Sequence, residues 1–378
     1  MKKILFVAAN PWTDWGGSEK LWSFTAKHLL KEKPVKVGVL MKKWEAINPE
    51  LKELLDACEV FHYQHHGPLF QRALTRVYYR FHPPPAGEQI FINALKELKP
   101  DLIVISQGAN YDGLEWMELC LKHNAPYVTI SQAATEEVWQ HDAGVERLAL
   151  SYSKARHNFF VSRDNLRLTE LQIGVRLPHS SVISNPFDVP FDAQLGFPPV
   201  EPKFRLACVA RFELHAKGQD VLLETLSDPK WKGRNIAVGL YGSGWGQQHV
   251  EKLIKLFGVQ ETVKIMGFLP PIEIWKTNHA LVLPSRYEGL PLALVEAMIC
   301  GRFGIVTNVS GNAEVIEDNV NGFIAEAPKA MYMDNALERA WARRSEWQML
   351  GDKARTFIKR KVPADPVADF AGAIMGLT

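Results

Sequence analysis

Short, unbroken apolar runs recur along this chain, and they limit what it can fold into more than any other feature. A first series lies at 4–9, 35–40, 102–105, 127–130 and 158–161. A second lies at 204–210, 236–241, 263–266, 280–283 and 303–306. Each run is too short for a buried helix, and none alternates as a strand with one wet face would. Continuous hydrophobicity of this length suits parallel strands covered on both sides. Longer helical patterns separate many of the runs, so βαβ units in two open parallel sheets are expected. Between the two series lies "NPFDVPFDAQLGFPPVEP", residues 185–202, whose prolines argue against a helix or a central strand. It is expected to link an N-terminal domain, 1–190, to a second domain beginning at 191. A chain of 378 residues is also too long for one ordinary core.

Composition excludes several function classes. The formal net charge is +2, and neither half carries the basic excess of a nucleic-acid binder. The four cysteines lie far apart without a CxxC pair, and read as reduced thiols of a cytoplasmic protein. No stretch approaches the roughly 20 apolar residues of a membrane span. The N-terminal apolar run is too short for a signal sequence and reads as a first strand. His62, His65, His66 and His82 fit no familiar ligand spacing, so no metal site is expected.

In open α/β sheets ligands sit beyond the carboxyl ends of the strands, so motifs should follow the runs. After the first comes "NPWTDWGGSEK". Gly16 and Gly17 ahead of a helix read either as an anion-facing turn or as an ordinary strand-to-helix turn. After 204–210 comes "RFELHAKG", in which Arg211 and Lys217 either converge on a diphosphate or are solvated loop charges. After 236–241 comes "GSGWG", with Gly242 first. It lacks the third glycine of a dinucleotide fingerprint, which disfavours a hydride-transfer enzyme. After 280–283 comes "SRYEGLPLALVEAMICG". A helix can begin near Leu292, placing Glu288 before it and Glu296 about one turn in. The bland alternative makes Glu296 a surface position and Glu288 a capping group, but the surroundings are apolar for a casual charge. A helix amino end offers N–H groups to phosphate, and flanking carboxylates accept hydrogen bonds from sugar hydroxyls.

With these motifs in order, the sequence resembles the family 4 retaining glycosyltransferases, whose fold (GT-B) sets two Rossmann-like domains face to face across a cleft. The resemblance runs over nearly the whole chain: "GGSEK", "FVSRDNLRLTE", "VISNPFD", "RFELHAKG", "GSG", "VKIMGFLPPIEIW", the Glu288-x7-Glu296 segment and "SGNAEVIEDNVNGFIAE". It implies a nucleotide-sugar donor domain over 191–355 and a C-terminal segment, 356–378, returning to the first domain. It implies that Arg211 and Lys217 hold the donor diphosphate, that Glu296 binds ribose and that Glu288 contacts the transferred sugar. Amides at Leu292 and Ala293 would touch phosphate, with Gly289 and Leu290 in the same donor loop and Gly242 in another. Gly16 and Gly17 would close over the phosphate, and the base would rest near Gly267 and Phe268. Many relatives carry a histidine near Ser106-Gln107, where this chain has none, and it has none at Ser131-Gln132 after the next strand either. Ser106, Gln107 and Gln132 are the acceptor-side candidates in its place. Pro291 also stands where a smaller residue is commoner, and removes one N–H from the sugar loop.

The implied reaction transfers a hexosyl unit from a UDP- or GDP-linked sugar to a hydroxyl of a glycan or lipid-linked acceptor. The sequence has no Asp-x-Asp, the usual carboxylate pair for a cation-bound donor, so no cofactor and no metal are expected. Residues 60–87 contain no acid, and Arg72, Arg76 and Arg80 recur every four. They read either as a basic amphipathic helix, lying on the cytoplasmic face of an anionic membrane or meeting an acidic glycan, or as a solvated arginine row. A nucleotide-sugar epimerase and a non-catalytic sugar-nucleotide-binding homologue are the alternative functions.

Overall fold

The computed structural model describes residues 1–11, 15–63 and 87–378. Within these, the chain forms two units, 1–186 with 365–378, and 187–364. Each is a parallel sheet between helices, and each belongs to the Rossmann-like class. The first sheet contains β1 (Lys2–Ala8), β2 (Val35–Lys42), β3 (Glu59–Tyr63), β4 (Leu102–Ala109), β5 (Tyr127–Ala133), β6 (His157–Phe160) and β7 (Ser180–Val182), in the order β3-β2-β1-β4-β5-β6-β7. The second contains β8 (Phe204–Val209), β9 (Ile236–Tyr241), β10 (Val263–Gly267), β11 (Ala280–Leu283), β12 (Phe303–Thr307) and β13 (Gly322–Ala325), in the order β10-β9-β8-β11-β12-β13. All pairings are parallel. The apolar runs are unbroken because both faces of each strand are covered. In β1, Ile4 and Phe6 enter one core with the helix Gly17–Glu32, while Leu5 and Val7 enter another with the helix Leu114–Lys122.

Two boundaries differ from the sequence expectation. Residues 187–203 belong to the second unit and are no free linker. Val189 and Ala193 are buried in its core, with Phe187, Phe191, Leu195 and Phe197 packed against it. At the other end, the helix Trp347–Lys361 stays with the second unit through Trp347, Leu350, Ala354 and Ile358. The return to the first unit comes at 365, not 356. There the helix Pro366–Met375 buries Phe370 and Ile374 in the first unit, with Phe370 edge-on to Phe159 at 5.1 Å.

Candidate functional site

Strand order decides where a site can form. In the second sheet the order reverses between β8 and β11, and chain connections leave in opposite directions on either side of that point. The carboxyl ends of these two strands therefore frame a crevice, the usual ligand position in such a sheet. Arg211 and Lys217 follow β8; Glu288 follows β11. In the first sheet the reversal lies between β1 and β4, which lead to Gly16–Gly17 and to Ser106–Gln107.

Lys217 and Glu288 meet. Lys217 Nζ lies 2.8 Å from Glu288 Oε2, with side chains only 18% and 8% exposed. The other carboxylate oxygen, Oε1, accepts from the fully buried Ser285 hydroxyl at 2.7 Å. The Glu288 N–H donates to Ser310 Oγ at 3.2 Å, and the Ser285 carbonyl accepts from Thr307 Oγ1 at 2.6 Å. The backbones beneath the pair are tied together. The Arg286 N–H donates to the Ala216 carbonyl at 2.8 Å, and its guanidinium forks onto Asp220 at 2.9 and 2.6 Å. Gly218 has φ +63 and sits where a Cβ would come within 2.1 Å of the Pro284 carbonyl oxygen, so only glycine fits. Arg211 is different. It is 65% exposed and pairs with Glu213 at 3.1 Å.

The apolar helix is Leu292–Ile299, with Pro291 as its N-cap. Leu292 and Ala293 occupy its first two positions, whose N–H groups have no acceptor within the helix. Glu296 is 4% exposed and accepts the Asp188 N–H on Oε1 at 2.8 Å. That oxygen anchors the start of the 187–203 strap. Gly289 accepts from the Gly311 N–H at 2.8 Å, which draws the loop after β12 onto the loop after β11 beside half-buried Leu290. Gly242 has φ +130 and its Cβ would strike the Ala210 carbonyl at 2.3 Å. The "GSGWG" turn is thus glycine-rich because it lies on the backbone of the Arg211 loop. The Gly242 N–H also donates to the Gly267 carbonyl, which sets exposed Phe268 at the end of β10.

In the first unit Gly16 is the N-cap and Gly17 the first residue of the helix Gly17–Glu32. Ser106, Gln107 and Gln132 do not project from loops, because β4 and β5 continue through them. Gln107 is fully buried, donating to the Asp112 carbonyl at 2.7 Å and accepting from Tyr152 at 3.0 Å. Gln132 exchanges two amide hydrogen bonds with Asn185, at 3.1 and 2.7 Å. Both amides are committed to holding strand ends together. Ser106 is buried, and its carbonyl accepts the Ala9 N–H. Arg72, Arg76 and Arg80 lie outside the described residues.

Sequence reasoning missed Ser285, Ser310, Asn10, Glu19 and Asp112. Buried Glu19 takes the Asn10 amide on Oε1 at 2.9 Å and the Ser18 hydroxyl on Oε2 at 2.6 Å, which fixes the turn after β1. Asp112, just past β4, accepts the Ala109 N–H at 2.7 Å. Burial pushes its carboxyl up to about 6, against the pull of backbone hydrogen bonds. Perturbed acids at strand ends are functional candidates. The signal for Asp112 was an acid-glycine pair just beyond a strand, hidden because the strand runs four residues past its apolar stretch.

Residues 196–357 match the family described as glycosyl transferases group 1. Alpha-D-kanosaminyltransferase of Streptomyces kanamyceticus is 31% identical over 127 residues, 32% of this chain and 33% of that protein. The UDP-Gal:alpha-D-GlcNAc-diphosphoundecaprenol alpha-1,3-galactosyltransferase of Escherichia coli is 39% identical over 66 residues, 18% of this chain and 17% of that one. The matches therefore span a third or less of these relatives' lengths. Among solved structures, Anabaena HepE in complex with UDP superposes over 100% of both chains, with a TM-score of 0.76 and 17% identity. HepE is also solved with UDP and glucose and with UDP-glucose. The fold of this chain is that of these GT-B enzymes.

Proposed function

We propose that the chain is a retaining, metal-independent glycosyltransferase that moves a hexosyl unit from a nucleoside-diphosphate sugar to a hydroxyl of a glycan or lipid-linked acceptor. The observation that carries this reading is the Lys217–Glu288 pair at the β8/β11 reversal, on the sequence that matches group 1 glycosyl transferases. The relatives' own ligands support a uridine donor, and the E. coli relative's name supports a lipid-linked acceptor.

In the reaction the bond from the anomeric carbon to the diphosphate oxygen breaks, and its electron pair leaves with the phosphate. Lys217, exposed Arg211 and the amides of Leu292 and Ala293 stabilise that charge, while Glu288 and Glu296 hold sugar and ribose hydroxyls. The acceptor oxygen bonds to the same face, and its proton passes to the departing phosphate. No dedicated protein base is required. The absence of Asp-x-Asp from the sequence supports a metal-free donor site.

The test is product analysis by NMR with UDP-, GDP- and ADP-hexoses, with and without EDTA. An axial donor should give an axial product at an unchanged rate in EDTA; inversion, or loss of turnover in EDTA, overturns that part of the reading. Lys217→Ala should lower kcat/KM about a hundredfold or more, the size of losing one group aimed at developing charge. Turnover like wild type would remove Lys217 from the diphosphate. No helix among the described residues is long and apolar enough to cross a membrane. Contact with anionic membrane through Arg72, Arg76 and Arg80 is proposed from sequence alone. Flotation with anionic liposomes that is lost at high salt would support it, and no flotation would refute it.

A further inference from the structure

We propose that the Lys217–Glu288 pair is a latch that makes binding of the donor's sugar depend on binding of its diphosphate, and that Ser285 is the positioning residue that sets the latch. The inference rests on the glycosyltransferase reading and adds to it an order of recognition. The two side chains assigned to different parts of the donor are here bonded to each other.

Glu288 has two oxygens to offer. Ser285, fully buried, occupies Oε1 and fixes the rotation of the carboxylate. Ser285 is itself held through its carbonyl by Thr307, and Glu288 through its N–H by Ser310. Oε2 is therefore the face left for a sugar hydroxyl, and Lys217 covers it. The backbones cannot part to uncover it, because Arg286 bonds to both Ala216 and Asp220 and Gly218 is seated against Pro284. The latch opens by rotation of the Lys217 stem alone, a four-carbon chain with three donors at its tip.

Each partial ligand meets a different obstacle. A free sugar finds the carboxylate already occupied by an ammonium group. A nucleoside diphosphate can draw Lys217 away with its greater charge, but it leaves a nearly buried carboxylate unpaired, which is costly. Only the intact donor supplies both a phosphate for Lys217 and a hydroxyl for Oε2. Removing the charge of Glu288 should then favour the diphosphate alone.

The experiment is calorimetric titration of UDP and UDP-glucose into wild type, Glu288→Gln, Ser285→Ala and Ser285→Thr, with melting curves to confirm folding. Glu288→Gln should bind UDP about three- to tenfold more tightly, the order of one released charge-assisted contact, and UDP-glucose no more tightly. Ser285→Ala should keep its UDP affinity within about twofold and lose about tenfold in kcat with little change in KM, and Ser285→Thr should restore it. UDP affinity unchanged or weakened in Glu288→Gln, with UDP bound by wild type, overturns the latch and leaves the enzyme reading standing. Unchanged kcat in Ser285→Ala removes Ser285 from it. Failure of wild type to bind either UDP or UDP-glucose overturns the uridine-donor reading and the latch with it.

Discussion

Asp112 shows what a single side chain can reveal about function through its cost to stability. Burial raises its carboxyl to about 6 from an ordinary 3.8, with the charge of Glu115 adding to the effect. A group raised in the folded state stabilises the fold fully below its unfolded value, and loses that contribution as pH climbs through the folded value. At pH 7 the ionised Asp112 is therefore a net burden, of order 1–3 kcal/mol for a shift of this size. Asp112→Asn keeps an oxygen for the Ala109 N–H while removing the charge. It should be more stable than wild type by about that amount at pH 7, and the advantage should shrink towards pH 4. Urea unfolding at several pH values checks this; an advantage independent of pH would show that burial does not raise the carboxyl. Such a burden just past β4 fits a residue kept for a task rather than for the fold. Residues of this kind were poorly legible in the sequence, because burial and not residue type makes them unusual. That Lys217 and Glu288 follow strands of one sheet was legible, one eight residues past β8 and the other five past β11, but their direct pairing was not, because it depends on those strands being neighbours.

The elements were read unevenly, for a physical reason. The runs that the sequence singled out are interior strands, together with edge strand β10. The strands it did not show are β3, β7 and β13, all at sheet edges. An edge strand is paired on one side only, and β3 and β7 have much of their surface open, so no continuous apolar run forms. The 187–203 strap was misread because its prolines outweighed its pattern. Phe187, Val189, Phe191, Ala193, Leu195 and Phe197 alternate strictly with polar or turn residues, a period of two that keeps one face inward even though the chain turns between Pro190 and Ala193. Proline is compatible with such a chain when no ladder partner is needed. Arg302 pins the strap from beneath. Its buried guanidinium donates to the Trp275 carbonyl at 2.7 Å, to Asn278 at 2.9 Å and to Gly196 of the strap at 2.8 Å. Burial pushes it down to about 10, so it remains charged at neutral pH, held by carbonyl dipoles. Arg302→Met should cost about 3 kcal/mol, since those buried carbonyls lose their donors. It should also open 187–203 to limited proteolysis. A stable variant with a protected strap would show that the apolar alternation holds it unaided.

For the whole molecule, the chain's last residues belong to the unit with which it began. The helix Pro366–Met375 lies on the helix Gly17–Glu32, with Phe370, Ala371 and Ile374 buried and Arg156 reaching the Leu377 carbonyl at 2.7 Å. The first unit is thus completed only after the second has been made, and part of its core comes from 365–378. Phe370 is the anchor, because its buried aromatic ring packs edge-on to Phe159 in the first unit's core. Phe370→Ala should destabilise the first unit by about 3–5 kcal/mol. Two separate units make a single global transition the wrong measure, so the change should be followed unit by unit. Hydrogen exchange should quicken in 17–32 and in β6, and stay unchanged in β8 and β11. Added UDP should slow exchange around 211–218 and 285–296 in wild type and in Phe370→Ala alike, because ligand stabilises the unit that binds it. Exchange that quickens equally in both sheets would show the C-terminal helix to be a support of the entire chain rather than of the first unit.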